Sequence, residues 1–297
     1  MNMHDESTHR LEKSPGYILG YKVIAHDKHR PVIVLIHGLA SNHTRWTEFV
    51  TNTTLLRHFN LIRIDLMGHG LSLQRRRVTR QGWCDDIAAV IKQEGFSKAI
   101  VIGHSLGAQV AIQFAYSYPS MCNDIILIDI TFPRLLRGTL ALVKKLKYLV
   151  WSIMWIAFTV NKLGIRRKHY ELNNLYELDK QTRIKLAANQ SIASIYINPL
   201  ADLRQMPLAL YLQDMFELVR PLPCPEDVSA NVLAIVSSGA QLSDRKETLQ
   251  QIQRFSNVEV KSIEADHWPL TENPEQTRNL IDQWCEKKID KSLTAGT

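Results

Sequence analysis

Residues 98–115, KAIVIGHSLGAQVAIQFA, constrain this chain more than any other stretch. An apolar run at 99–102 meets Gly103-His104-Ser105-Leu106-Gly107, and an apolar segment with helical spacing follows directly. The pattern predicts a strand, a sharp turn and a helix, with Ser105 at the apex. A turn this tight forces unusual backbone angles on its central residue. Gly103 and Gly107, two positions to either side, let strand and helix approach without a side-chain clash. The serine hydroxyl then stands clear at the carboxyl end of a sheet. The helix N-terminus beside it offers backbone N–H groups and positive potential to an anionic oxygen. G-x-S-x-G alone is short enough to arise by chance, and its strand and helix flanks give it weight. The competing reading is a serine in an ordinary glycine-rich βα turn.

Upstream, 17–25 (YILGYKVIA) predicts one or two antiparallel edge strands. The run at 31–36 (PVIVLI) is continuously apolar, as in a parallel strand buried on both faces, and it leads into His37-Gly38-Leu39-Ala40. In a chain with a serine elbow, that His-Gly turn suggests the second half of an oxyanion hole. The N–H groups of Leu39 and Leu106 would share a developing negative charge. The His37 imidazole itself reads as a structural turn group. A further strand at 60–64 opens into Asp65-Leu66-Met67-Gly68-His69-Gly70-Leu71-Ser72, a structured loop without the G-K-[ST] ending of a phosphate cradle. Residues 81–93 carry Trp83, Ile87, Val90 and Ile91 at helical intervals, and 124–130 (DIILIDI) is another buried strand.

Strand, helix, strand, helix, strand, with distinctive loops crowded at the strand ends, describes a doubly wound α/β sheet. With GHSLG, HGLA and DLMGHGLS in this order, the sequence resembles the α/β-hydrolase family over 31–130 and again over about 230–284. The resemblance implies a mostly parallel central sheet flanked by helices, with a helical cap inserted over the active site. The expected division is a flexible lead-in at 1–16, a core at 17–130 and 228–297, and a cap at 131–227. The block at 131–227 is rich in helix formers and breaks the βα alternation. It contains YLVWSIMWIAFTV (148–160), 13 residues long where a membrane span needs about 20. A cap helix whose Trp151, Trp155 and Phe158 line an apolar acyl pocket is the first reading. An interfacial segment touching lipid head groups through Lys144, Lys145 and Lys147 is the second, and an ordinary buried helix the third. Weak or no binding to anionic vesicles is expected.

Strands at 231–237 and 258–263 bracket a helix at 245–255, and EADHWP (264–269) follows the last strand. By resemblance, His267 in this turn is the catalytic base, downstream of the serine as the family's order requires. Most relatives carry the acid after the strand that here is 231–237, yet Ala240 stands at that place. Asp129, at the end of the strand after the elbow helix, is the preferred acid. Asp244 is the alternative, although an aspartate before a helix has a capping reason to be there.

The resulting expectation is an esterase- or lipase-like serine hydrolase acting through an acyl-enzyme on an ester of a fairly apolar acid. Ser105, His267 and Asp129 would form its triad. A thioesterase, a lactonase and a carbon–carbon bond hydrolase stay open, because the same machinery serves them all, and a ligand-binding homologue with little catalysis stays open because Ala240 stands where the acid is expected. A serine at the elbow in place of an aspartate argues against epoxide hydrolase or dehalogenase chemistry. No cofactor and no metal are expected. The net charge of +7 would suit nucleic acid or an anionic surface, but no nucleic-acid motif is present. The clusters Arg75-Arg76-Arg77, Lys144-Lys145 with Lys147, and Arg166-Arg167-Lys168 fit a solvated surface. Four cysteines far apart read as reduced thiols. Together with an N-terminus lacking an apolar signal region, they point to a cytoplasmic protein.

Overall fold

A computed structural model describes residues 6–165, 167, 169–188, 193–196, 198–239 and 243–294. Eight strands form one sheet: β1 (Ser7–Ser14), β2 (Tyr17–Ile24), β3 (Val32–Ile36), β4 (Asn60–Ile64), β5 (Ala99–His104), β6 (Asp124–Ile128), β7 (Asn231–Ser237) and β8 (Val258–Ile263). Their order is β1-β2-β4-β3-β5-β6-β7-β8. The β1/β2 and β2/β4 pairs are antiparallel, and every other pair is parallel.

The helices are α1 (Thr47–Asn52), α2 (Arg80–Gln93), α3 (Leu106–Ser117), α4 (Gly138–Lys145), α5 (Lys147–Lys162), α6 (Leu175–Ala187), α7 (Ala193–Tyr196), α8 (Pro199–Gln205), α9 (Leu208–Val219), α10 (Arg245–Ile252), α11 (Pro269–Glu272) and α12 (Pro274–Thr294). Six of these, α4 to α9, lie between β6 and β7, where the sequence pattern loses its βα alternation.

The continuous apolar strands are explained by two cores. Alternate side chains point to opposite faces of a sheet. Val32, Val34, Ile36 and Val101 therefore pack with Trp83, Ile87, Val110 and Phe114 of α2 and α3. Ile33, Leu35, Ile100 and Ile102 face the other way, onto Phe49 of α1 and Ile281 and Trp284 of α12.

Two local differences from the sequence reading have simple causes. Residues 7–14, expected within a flexible lead-in, form the edge strand β1, paired with β2 from Ser7↔Val23 to Ser14↔Tyr17. Its alternation is mostly polar because little of it is buried. β6 ends at Ile128 rather than at 130, because Asp129 takes a left-handed backbone (φ 46°) that no strand continues. Ala240 and the flanking Arg166 and Lys168 of the basic cluster lie outside the described residues.

Candidate active site

The elbow forms as its glycines require. Ser105 stands between β5 and α3 with φ 54° and ψ −113°. A Cβ on Gly103 would come within 2.1 Å of the Gly107 carbonyl oxygen, and one on Gly107 within 2.5 Å of the Ile36 carbonyl oxygen. Backbones this close exclude any side chain at either place. The Ser105 N–H donates to the Ile128 carbonyl at 3.0 Å, tying the elbow to the end of β6.

Three side chains from distant parts of the chain converge here. The Ser105 Oγ lies 3.0 Å from His267 Nε2, and His267 Nδ1 is hydrogen-bonded to Asp129 Oδ2. With the carboxylate on Nδ1, that nitrogen carries the proton and Nε2 is left to accept from the hydroxyl. Asp129 is fixed in turn: its N–H donates to the Ile235 carbonyl at 2.8 Å, and its Oδ1 accepts from the Ser237 N–H at 2.9 Å. Burial alone would raise the Asp129 pKa, but the adjacent His267 and the Ser237 N–H hold it below the usual carboxylate range. Asp244 is elsewhere. It caps α10 through the Glu247 N–H at 3.0 Å and pairs with Arg137.

The His37–Ala40 loop adjoins the serine, since a Cβ on Gly38 would sit 3.6 Å from Ser105 Cβ. Leu39 is the next residue of this loop, and Leu106, which follows Ser105, opens α3. The His37 ring is occupied by backbone. Nδ1 donates to the Gly38 carbonyl at 2.8 Å, and Nε2 accepts from Leu66 N–H at 3.1 Å. Complete burial lowers its pKa to about 3, so it stays neutral. The DLMGHGLS loop is likewise structural: Asp65 receives the His43 N–H, His43 Nδ1 and the Leu71 N–H.

Several further residues support the histidine turn. Glu272 collects three backbone N–H groups of the histidine turn, from Asp266 (2.8 Å), His267 (3.2 Å) and Trp268 (2.8 Å). His104 Nε2 donates to the His267 carbonyl at 2.9 Å, and burial beside His267 lowers the His104 pKa to about 3. Arg45 binds Asp179 of α6 and Thr271. Tyr196 bonds the same aspartate and stacks on Trp268 at 4.9 Å. The helical block is thereby clamped to the turn that holds His267. Of these residues only His104 lies within a motif, as a variable position of the serine elbow.

The three aromatics expected in an acyl pocket are placed otherwise. Phe158 is packed in the core, Trp155 is half-buried under Arg77, and Trp151 is 45% exposed. A cleft beside Ala40 is lined by Ser41, His69, Leu73, Tyr170 and Met206, among others. No cluster among the described residues has the composition to hold a metal ion.

The family model described as the alpha/beta hydrolase fold matches residues 31–274. The chain belongs to the α/β-hydrolase family. A 2-(acetamidomethylene)succinate hydrolase of Mesorhizobium japonicum is 32% identical to this hydrolase-fold chain over 102 residues, 34% of this chain and 36% of the relative. A pimeloyl-[acyl-carrier protein] methyl ester esterase of Nitrosospira multiformis is 34% identical over 104 residues, 34% and 39% of the two chains. The chain thus spans about a third of the length of the curated relatives it matches. Over the whole α/β-hydrolase fold, a solved E-2-(acetamidomethylene)succinate hydrolase superimposes with a TM-score of 0.66 at 21% identity, covering 95% of this chain and 99% of that one.

Proposed function

We propose that the protein is a serine hydrolase that cleaves a carboxylic ester of a fairly apolar substrate through an acyl-enzyme. The observation that carries this reading is the chain of contacts from Ser105 Oγ through His267 to Asp129. A serine hydroxyl is a weak nucleophile at neutral pH and needs a base at hydrogen-bond distance, itself oriented by a third group. His267 Nε2 takes the Ser105 proton as Oγ attacks the ester carbonyl. The tetrahedral oxyanion is held by the N–H groups of Leu39 and Leu106. The imidazolium, stabilised by Asp129, then protonates the departing alcohol. Water, deprotonated by His267, opens the acyl-enzyme, and the proton returns to Ser105 as the acid leaves.

Leu73, Leu172 and Met206 give the cleft next to Ala40 an apolar side, opposite polar groups such as Asn42, Glu171 and Gln205, and the apolar character of the substrate is read from that side. The alternative of a ligand-binding homologue with little catalysis rests on Ala240 standing at the expected acid position. The Asp129 contact with His267 supports the catalytic reading over that one.

The test is turnover of p-nitrophenyl esters of graded chain length by wild type and Ser105→Ala, with organophosphonate labelling of each. Wild type is expected to hydrolyse at least one ester and to be labelled at Ser105. The variant should fall by about 10⁴-fold or more in kcat and stay unlabelled. A wild type that neither turns over any ester nor reacts with the phosphonate would refute the proposal.

A further inference from the structure

Helix α5 has two apolar faces and buries only one. Met154 and Phe158, 2% and 7% exposed, turn inward, packing in the core that also holds Leu210 and Leu218 of α9. Leu149, Ile153 and Ile156 recur at helical spacing on the other side and are 53%, 41% and 63% exposed. Tyr148 and Leu163, about 75% exposed, extend this surface at either end. No charged residue occurs from 148 to 161. A helix packed on a globular core ordinarily turns charge to solvent. This one turns leucine and isoleucine.

The charge lies at the margins. Lys144, Lys145 and Lys147 are exposed before the apolar face, and Lys162 after it. Residues 131–170 contain nine lysines and arginines and no aspartate or glutamate. In the rest of the chain 27 basic residues meet 29 acidic ones, so the whole net charge of +7 originates in this segment.

We propose, against the weak or absent vesicle binding expected from the sequence, that the outward face of α5, flanked by these lysines, docks the protein on the surface of an anionic lipid bilayer. The helix lies in the interfacial plane, its leucine and isoleucine side chains in the acyl boundary and its lysines among the head groups. Sixteen residues of helix measure about 24 Å, short of the ~30 Å hydrocarbon core, and no described helix is long and apolar enough to cross a membrane. A second copy of the chain is a poorer occupant, because facing helices would bring lysine clusters together. Nucleic acid is poorer too, because it would leave the apolar centre of the face unsatisfied and demands cations along the contact. The docking requires nothing of Ser105 and stands apart from the hydrolase reading.

The experiment is co-sedimentation of the full chain with vesicles of phosphatidylcholine, alone or mixed with phosphatidylglycerol. Binding is expected to the anionic vesicles at least tenfold more tightly than to the neutral ones. It should be lost near 1 M salt, where the Debye length falls to about 3 Å. Each lysine near such a surface contributes about fivefold, so combining Lys144→Gln, Lys145→Gln and Lys147→Gln should weaken binding about a hundredfold. Leu149→Ser with Ile156→Ser, at positions already in solvent, should weaken it at least tenfold, and Ser105→Ala should bind like wild type. Three results would overturn the proposal: equal or absent binding to the two vesicle types, unchanged binding by the Leu149/Ile156 variant, or a lipid-free dimer that this variant converts to monomer. Binding to single-stranded RNA without binding to vesicles would also overturn it.

Discussion

Asp129→Asn and Asp244→Asn make a sharp pair, since both remove one carboxylate charge and leave the shape of the residue. At position 129 the side chain is 14% exposed and accepts from His267 Nδ1 and from the Ser237 N–H. Asparagine can keep the Ser237 bond with its oxygen, but it then turns an NH₂ group towards Nδ1. Two donors cannot share that contact, so the imidazole proton moves to Nε2, and Nε2 can no longer accept from Ser105. Loss of the tautomer and of the imidazolium's counter-charge costs about 10⁴-fold in kcat, or about 5.4 kcal/mol at ~1.36 kcal/mol per tenfold. KM should move less than about threefold, since Asp129 lies behind the histidine. The urea midpoint should shift only slightly, because the backbone bond survives. At position 244 asparagine caps α10 as well as aspartate does, and kcat is expected within about twofold of wild type. The assay is steady-state hydrolysis of the best p-nitrophenyl ester, with urea denaturation of each variant alongside. An Asp129→Asn enzyme keeping more than about a tenth of wild-type kcat, with Asp244→Asn collapsed, would refute the assignment of the acid.

Two further predictions concern the surroundings of that contact. Glu272→Ala leaves three N–H groups of the histidine turn without their acceptor, so kcat should fall about ten- to a hundredfold at nearly constant KM, with partial recovery in Glu272→Gln. Full activity in Glu272→Ala would show that the turn holds itself. His37 and His104, both buried with pKa values lowered to about 3, bind protons in the unfolded chain that the native chain refuses. The unfolded state binds more protons between about pH 6.5 and 3, so stability is complete above that window and falls as pH drops through it. The slope is about 1.4 kcal/mol per pH unit for each histidine once well below pH 6.5. Urea unfolding at pH 7 and pH 5 measures this, and equal stabilities would contradict it.

The parts of this protein legible in its sequence are those decided within a few residues. Gly103 and Gly107 bracket Ser105 because strand and helix must touch there, and that demand shows as a five-residue pattern. The centres of β3, β5 and β7 are continuously apolar because both faces of each strand are covered, which marks a parallel sheet before any coordinate is known. Tertiary structure decided what depends on residues far apart in the chain. Asp129 reaches His267 across 138 positions because β6 lies between β5 and β7, placing its end beside both the elbow and the turn after β8. Asp244, much nearer in sequence, is drawn instead to its own helix terminus. The support from Arg45 and Asp179, 134 positions apart, has no periodic signature, because a single polar contact between distant segments imposes no repeat on the chain. The outward apolar face of α5 was equally hidden. A stretch hydrophobic all round has no preferred side until packing against α9 selects which face is buried and leaves the other in water.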